Sequence, residues 1–217
     1  MFSLADRRRA AAVFLSLAGV AALSACSDSP DPGANAAQSP SASASETASS
    51  PSPSPSPSAT YKPASADGPA ENVPLPVMPE EAKVESKEGL IAFARHWYEV
   101  ANYAYQTGDV EPMKAISGPD CTACNGVYSA LERWYEGDKW LAGSLIDIDS
   151  IASEYAQTET GERQALIMFA QVPIQSYGPE GLIDTTGEGD TYVQLLNGRY
   201  EDGSWIAYDI VTMKKLP

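Results

Sequence analysis

Residues 191–212 read TYVQLLNGRYEDGSWIAYDIVT. Two runs rich in β-branched and aromatic residues, Thr191 to Tyr200 and Ser204 to Thr212, flank Glu201-Asp202-Gly203. An aspartate followed by a glycine tolerates the positive φ angles of a tight hairpin, so the stretch predicts a terminal antiparallel pair. Gly198 inside the first run predicts a bulge.

Working back from that hairpin, two more strand-like segments appear. Lys139 to Tyr155 carries isoleucines and leucines with alternating Asp147 and Asp149, and Arg163 to Tyr177 holds Leu166, Ile167, Met168, Phe169, Val172 and Ile174. Gly178 to Asp190 contains four glycines and reads as a mobile loop between strands.

Before residue 137 the period changes to that of helices. Leu90, Phe93, Ala94, Trp97, Ala101, Ala104 and Tyr105 fall on one broad face, which predicts a helix from about Ser86 to Gln106. Ser86 is its expected N-cap and Gly108 its stop. A short helix follows near Glu111 to Ile116, with Pro112 in its first turn. A third runs from Thr122 to Glu136, with Val127, Leu131 and Trp134 on one face and Gly137 ending it. Ahead of them Val73-Pro74-Leu75-Pro76-Val77-Met78-Pro79 is an extended lead-in, because three prolines exclude a helix. Helices first and strands second indicate an α+β domain over residues 73–217, with three helices on a curved antiparallel sheet of about four strands.

That order, closing on Asp202-Gly203-Ser204-Trp205-Ile206-Ala207-Tyr208-Asp209-Ile210, resembles the cystatin-like, cone-shaped fold of nuclear-transport-factor-two-like domains. The resemblance implies a space between helices and sheet, which Trp97, Tyr105 and Trp134 could line; the plainer reading makes them core packing. The fold hosts enzymes, binders and scaffolds alike, so it names no activity.

The N-terminal part reads quite differently. Arg7-Arg8-Arg9 precede an apolar run from Ala10 to Leu23, and Leu23-Ser24-Ala25-Cys26 follows. This resembles the lipobox of bacterial lipoproteins, which implies removal of residues 1–25 and a diacylglycerol thioether and palmitate on Cys26. A non-lipidated secretory signal is the alternative. The run of about 14 residues is short for a span, which takes about 20. From Ser27 to about Asn72 the chain is Ser, Ala, Pro, Asp and Thr, with Pro51 to Ser58 strictly alternating. Such a composition buries too little to offset the entropy of ordering and is expected to be a disordered spacer. Fully extended, a polyproline stretch of this length reaches roughly 140 Å. Together with a Cys-x-x-Cys before the third helix, the whole chain resembles actinobacterial lipoproteins of unknown function.

The net charge of −15 becomes −17 once residues 1–25 are removed, since three arginines and one aspartate leave with them. That argues against a nucleic-acid partner. Cys26 aside, two cysteines remain, Cys121 and Cys124, and an exported chain favours their disulfide. The pair begins a helix, where a thiol is activated, so a thiol–disulfide exchanger is the functional reading and a local staple the plainer one. His96 is the only histidine and sits at the edge of its helix's apolar face, as a surface or boundary residue. Asp147 and Asp149 share a strand face and could act as paired carboxylates, though two acids on a solvent-facing strand are commoner.

The expectation is therefore a lipid-anchored extracytoplasmic module at the cell envelope. It would bind a protein or small ligand at the cell wall and touch the membrane through Cys26. Neither a catalytic residue, nor a metal, nor a cofactor is nominated. The alternatives are an isomerase or hydratase using the cone cavity, an exchanger through Cys121 and Cys124, or a structural envelope component.

Overall fold

The computed structural model describes residues 59–187 and 189–216. The lipobox, Cys26 and the spacer up to Ser58 lie outside the described residues. A 3-10 turn, Glu80–Lys83, precedes α1 (Lys87–Thr107), α2 (Glu111–Lys114) and α3 (Thr122–Trp134). Seven strands follow: β1 (Trp140–Gly143), β2 (Ile146–Ala152), β3 (Arg163–Gln171), β4 (Ile174–Gly178), β5 (Gly181–Thr186), β6 (Thr191–Glu201) and β7 (Ser204–Leu216). They form two antiparallel sheets, in the orders β1-β4-β5 and β2-β3-β6-β7.

The class is α+β, but the layout differs from the expected one. A fourth helical turn precedes the three helices, and a second sheet stands beside the four-stranded one. The cause lies in two breaks at the same level of one long strand pair. Gly143 and Ser144 both take positive φ, 73° and 63°, and Pro173 interrupts the facing strand. The two breaks bond to each other, Val172 N–H donating to the Leu145 carbonyl at 3.1 Å. A Cβ on residue 143 would stand 2.5 Å from the Pro173 carbonyl oxygen, so only glycine fits the crossing. Each strand thus leaves one sheet and enters the other.

Two further expectations are corrected. The glycine-rich stretch from Gly178 to Asp190 is not simply a loop. Leu182-Ile183-Asp184-Thr185-Thr186 is a strand-forming run, and as β5 it folds back on β4. Residues ahead of Val73 also carry structure. Residues 59–72 make a small hairpin, with bridges between Lys62 and Glu71 and between Ser65 and Gly68. The Trp140 indole N–H holds it to the head by donating to the Ser65 carbonyl at 2.8 Å. The Tyr61 hydroxyl adds a second tie by donating to Gln106 Oε1 at 2.6 Å, and Lys62 pairs with Glu71 across the hairpin; composition hid this because Trp140 and Gln106 lie outside the segment.

The helix signals fall where expected. The Ser86 hydroxyl oxygen accepts from Gly89 N–H at 2.9 Å, and Gly108 closes α1 in the left-handed region. The terminal hairpin turns on Asp202 and Gly203, with φ of 50° and 84°, and the register shifts at Asn197/Gly198. The core lies between α1 and the inner face of the four-stranded sheet, where Leu90, Phe93, Ala94 and Ala104 meet Ala165, Ile167, Phe169 and Leu196. Trp205 is sealed within it, its indole N–H donating to the Val84 carbonyl at 2.9 Å. Asn102 of α1 acts as a surrogate strand residue: its amide both donates to the Ile146 carbonyl (2.9 Å) and accepts from the Ile146 N–H (2.8 Å).

Gly89 gives a test of this packing. Glycine to alanine inside a helix ordinarily stabilises by about 1 kcal/mol. Here a Cβ would stand 2.0 Å from the Val84 carbonyl oxygen and 2.9 Å from that of Glu81. Gly89→Ala is expected to lower the urea midpoint, by about 1–3 kcal/mol of stability. A midpoint that rises would show that the 3-10 turn does not press on α1.

Candidate functional site

A cavity of about 90 Å³ lies between the helices and the inner face of the four-stranded sheet. Trp97, Tyr98, Ala101 and Tyr105 reach it from α1, because residues 97, 98, 101 and 105 share one helical face. Ala123 and Val127 of α3, one turn apart, form a second wall with Met113 of α2. The sheet contributes Ile146, Phe169, Gln171, Gln194 and Ile210. Ligand pockets of drug-like size run to about 300–1,000 Å³, so this space takes a single ring or branched alkyl group.

Its polar groups are neutral and already oriented. The Tyr98 hydroxyl donates to Gln194 Oε1 at 2.6 Å, and Gln194 Nε2 donates to the Thr212 hydroxyl at 3.0 Å. Gln171 Nε2 donates to the Ser144 carbonyl at 3.0 Å. Trp97 Nε1 donates to the Ser117 hydroxyl at 2.9 Å. Burial pushes both phenols up, Tyr98 strongly, with Gln171 partly offsetting the effect at Tyr105. Neither phenol therefore ionises near neutral pH, and the lining holds no carboxylate, histidine, lysine or free thiol.

Of the three residues expected at such a cavity, the structure brings Trp97 and Tyr105 together there. Trp134 is half-buried and packs elsewhere on the core. It follows Val127 by seven residues on the same helix face, about 10 Å further along the axis and beyond the cavity. Tyr98, one of the aromatic residues that crowd the helical region, joins Trp97 and Tyr105 at the cavity, whereas Gln171 and Gln194 carry no aromatic signal. The alternation in β3 and β6 could have flagged the glutamines, as polar residues in phase with Phe169 and Leu196.

Cys121 and Cys124 are joined by a disulfide, and both residues are fully buried. Cys121 is the N-cap of α3, its sulfur accepting from Cys124 N–H at 3.2 Å. An exchange partner must reach a sulfur, and neither is open to solvent. His96 is not a surface or boundary residue: it is 4% exposed. His96 lies on the same side of α1 as Gly89 and Tyr103; Gly89 packs on the carbonyls of Glu81 and Val84, and Tyr103 lines a groove with Val73, Pro74 and Pro76, so the chain ahead of α1 covers a second side of the helix. Nδ1 lacks a hydrogen-bond partner, with Glu99 Oε2 3.8 Å away. Desolvation lowers the histidine's pKa and Glu99 partly opposes this. Asp147 and Asp149 are exposed on the opposite side of the sheet from the cavity, with a register shift between Ile148 and Ser150. Among the described residues no group of three or more His, Cys, Asp or Glu side chains could hold a metal ion. Among them, too, no helix is long and apolar enough to cross a membrane.

The most perturbed carboxylate lies elsewhere. Glu162 accepts from the hydroxyls of Thr160 and Thr158 and pairs with Arg199, whose guanidinium lies 4.0 Å over the Tyr208 ring. These donors hold its pKa at about 2, against an ordinary 4.5, and the hydroxyls contribute most. The stabilisation is complete above pH 4.5 and is lost as the pH falls through about 2. Urea midpoints measured between pH 5 and pH 2 are expected to fall, and less steeply in Glu162→Gln. Parallel pH profiles for the two proteins would remove Glu162 from the account of acid unfolding.

No curated protein matches the chain. A solved structure with a partial likeness is the intermembrane-space region of the chloroplast protein ARC6. The TM-score is 0.41 at 10% identity, over 59% of this chain and 97% of that one, too weak a likeness to carry fold or function. Residues 59–210 match the family of unknown function DUF6318, and the chain belongs to that family.

Proposed function

We propose that the protein is a lipid-anchored binding module of the cell envelope, its head a cone-like domain related to the nuclear-transport-factor-two-like fold. Residues 1–25 direct export, Cys26 carries the lipid, and the Ser/Pro spacer sets the head away from the membrane, as in actinobacterial lipoproteins. Two acyl chains on one thioether suffice for stable anchoring, so the head needs no membrane-binding surface.

The observation that carries the binding role is the chemistry of the cavity: apolar rings, two amides, two phenols, and no group that ionises near neutral pH. A hydratase or isomerase moves protons and needs a group poised near the working pH. An amide-and-hydroxyl lining instead suits recognition of a small apolar group bearing a neutral hydrogen-bonding end. Such a group belongs to a small molecule or to one side chain of a larger partner. The buried sulfurs of Cys121 and Cys124 favour a staple over an exchanger.

Benzamide, a ring with a neutral amide, tests the pocket. It is expected to raise the melting temperature of the wild type at millimolar concentration, by mass action on the folded state. Val127→Phe, which fills the space, is expected to abolish the shift. No shift from benzamide or from benzene in the wild type would sink the ligand reading. The anchor is tested separately, by metabolic labelling with a radiolabelled fatty acid in a bacterial host. Label is expected in the wild type and lost in Cys26→Ser; equal labelling refutes the lipobox.

A further inference from the structure

The four-stranded sheet has two faces, and the helices pack on only one of them. On that side Ala165, Ile167 and Phe169 of β3 are buried, while the intervening Leu166 is 44% exposed. Side chains alternate along a strand, so Leu166 and Met168 point outward. Register places Leu195 opposite Leu166 and Val193 opposite Met168, and Val211 opposite Leu195. Met213, 58% exposed, occupies the bulge next to Lys214. Among the described residues this gives a contiguous apolar field three strands wide on the side away from the helices.

The charges around the field are arranged by edge. Asp147 and Asp149 stand on β2, and Lys214 on β7 at the same level, since Ser150, Met168, Val193 and Lys214 form one cross-strand row. At this level one edge is negative and the other positive. A two-fold axis lying in the contact plane, parallel to the strands, lays the β2 edge of one molecule over the β7 edge of another. The two aspartates then meet the partner's Lys214, and the contact occurs twice. An axis across the strands would set like edges together. From this pattern we infer that the outer face docks the same face of a second copy of the chain, in a face-to-face pair with aligned strands.

Aligned packing is the ordinary arrangement of two sheets, and complementary charge fixes which alignment is taken. Asp209 of β7 and Glu154, just beyond β2, lie toward the other end, where this symmetry brings acids near one another. The contact is thereby confined to about three rows. Three rows spaced about 7 Å apart on four strands about 4.8 Å apart make a patch of about 20 Å by 19 Å. That is smaller than the ~800 Å² per partner of a standard stable interface, so the pair is weak, with a Kd on the order of 100 μM.

Sedimentation equilibrium of the full chain carrying Cys26→Ser, from about 5 μM to about 1 mM, spans that range. The mean mass is expected to climb from monomer toward dimer. Leu166→Lys and, independently, Met213→Lys place a charge in the field at exposed positions and are expected to weaken association at least tenfold with unchanged far-UV dichroism. Asp149→Lys and Lys214→Asp each weaken it, and the two together restore it. A monomer at every concentration overturns the inference, whether or not some other protein covers the face. So does a dimer that ignores Leu166→Lys and Met213→Lys, or a double exchange that fails to recover what each single change lost.

Discussion

The indole of Trp205 joins the two ends of the head. It lies in the last hairpin, yet its N–H donates to the Val84 carbonyl, and the Tyr200 hydroxyl beside it donates to the Lys83 carbonyl. Lys83 ends the 3-10 turn and Val84 follows it, just ahead of α1. The ring is 1% exposed and is met edge-on by Tyr155 and Tyr200. Removing a buried tryptophan side chain costs about 3–5 kcal/mol, a large share of the 5–15 kcal/mol that holds a domain together. The direction of α1 across the sheet, and hence the gap that remains between them, depends on this clasp. Gly89 and Gly198 make room for it: a Cβ on the first would strike the Val84 carbonyl, and one on the second would crowd Leu90 and the indole itself.

A second rule governs the interior. Four polar groups between helices and sheet are placed in neutral pairs: Asn102 with the Ile146 backbone, Tyr98 with Gln194, Trp97 with Ser117, and Tyr135 with the Tyr105 carbonyl, while His96 Nδ1 and the Tyr128 hydroxyl are buried without one. A buried hydrogen bond adds only about 0.5–1.5 kcal/mol net, whereas an unpaired partner costs more, so such pairs fix geometry more than they add stability. Charge is kept at the rim, in Glu162 with Arg199 and Lys215 with Asp190. The cavity is therefore a site of shape and hydrogen bonding, with its electrostatics settled in advance.

Much of the architecture was legible wherever one local signal decides one local outcome. Ser86 and Gly108 bounded α1, Asp202-Gly203 turned the hairpin, and Gly198 marked the bulge. β5 was hidden by the glycines that flank it, although its partner β4 is only a two-residue turn away. The other misses share a cause, namely that the deciding partner is distant in sequence. The hairpin at 59–72 requires Trp140. The division into two sheets requires Gly143 and Pro173 to break facing strands at the same level. His96 looked peripheral because a helical wheel knows one buried face, whereas α1 is covered on more. At the cavity, the aromatic residues announced themselves, but Trp134 lay two turns too far along. The glutamines passed unnoticed, because a polar residue on an inward strand position is read as an interruption until its partner is known.

A chain emerges from its N-terminus, and that gives the clasp a temporal meaning. The apolar face of α1 is complete after about half of the sequence has appeared, but the strands that cover it, β6 and β7, come last. Until then Leu90, Phe93 and Trp97 have only the nearer part of their cover, from α2, α3 and β3, and lack Leu196, Gly198 and Trp205. A nascent chain of this kind closes its core only once β6 and β7 are free. Its long-range contacts make closure slow, and its order of synthesis makes it late.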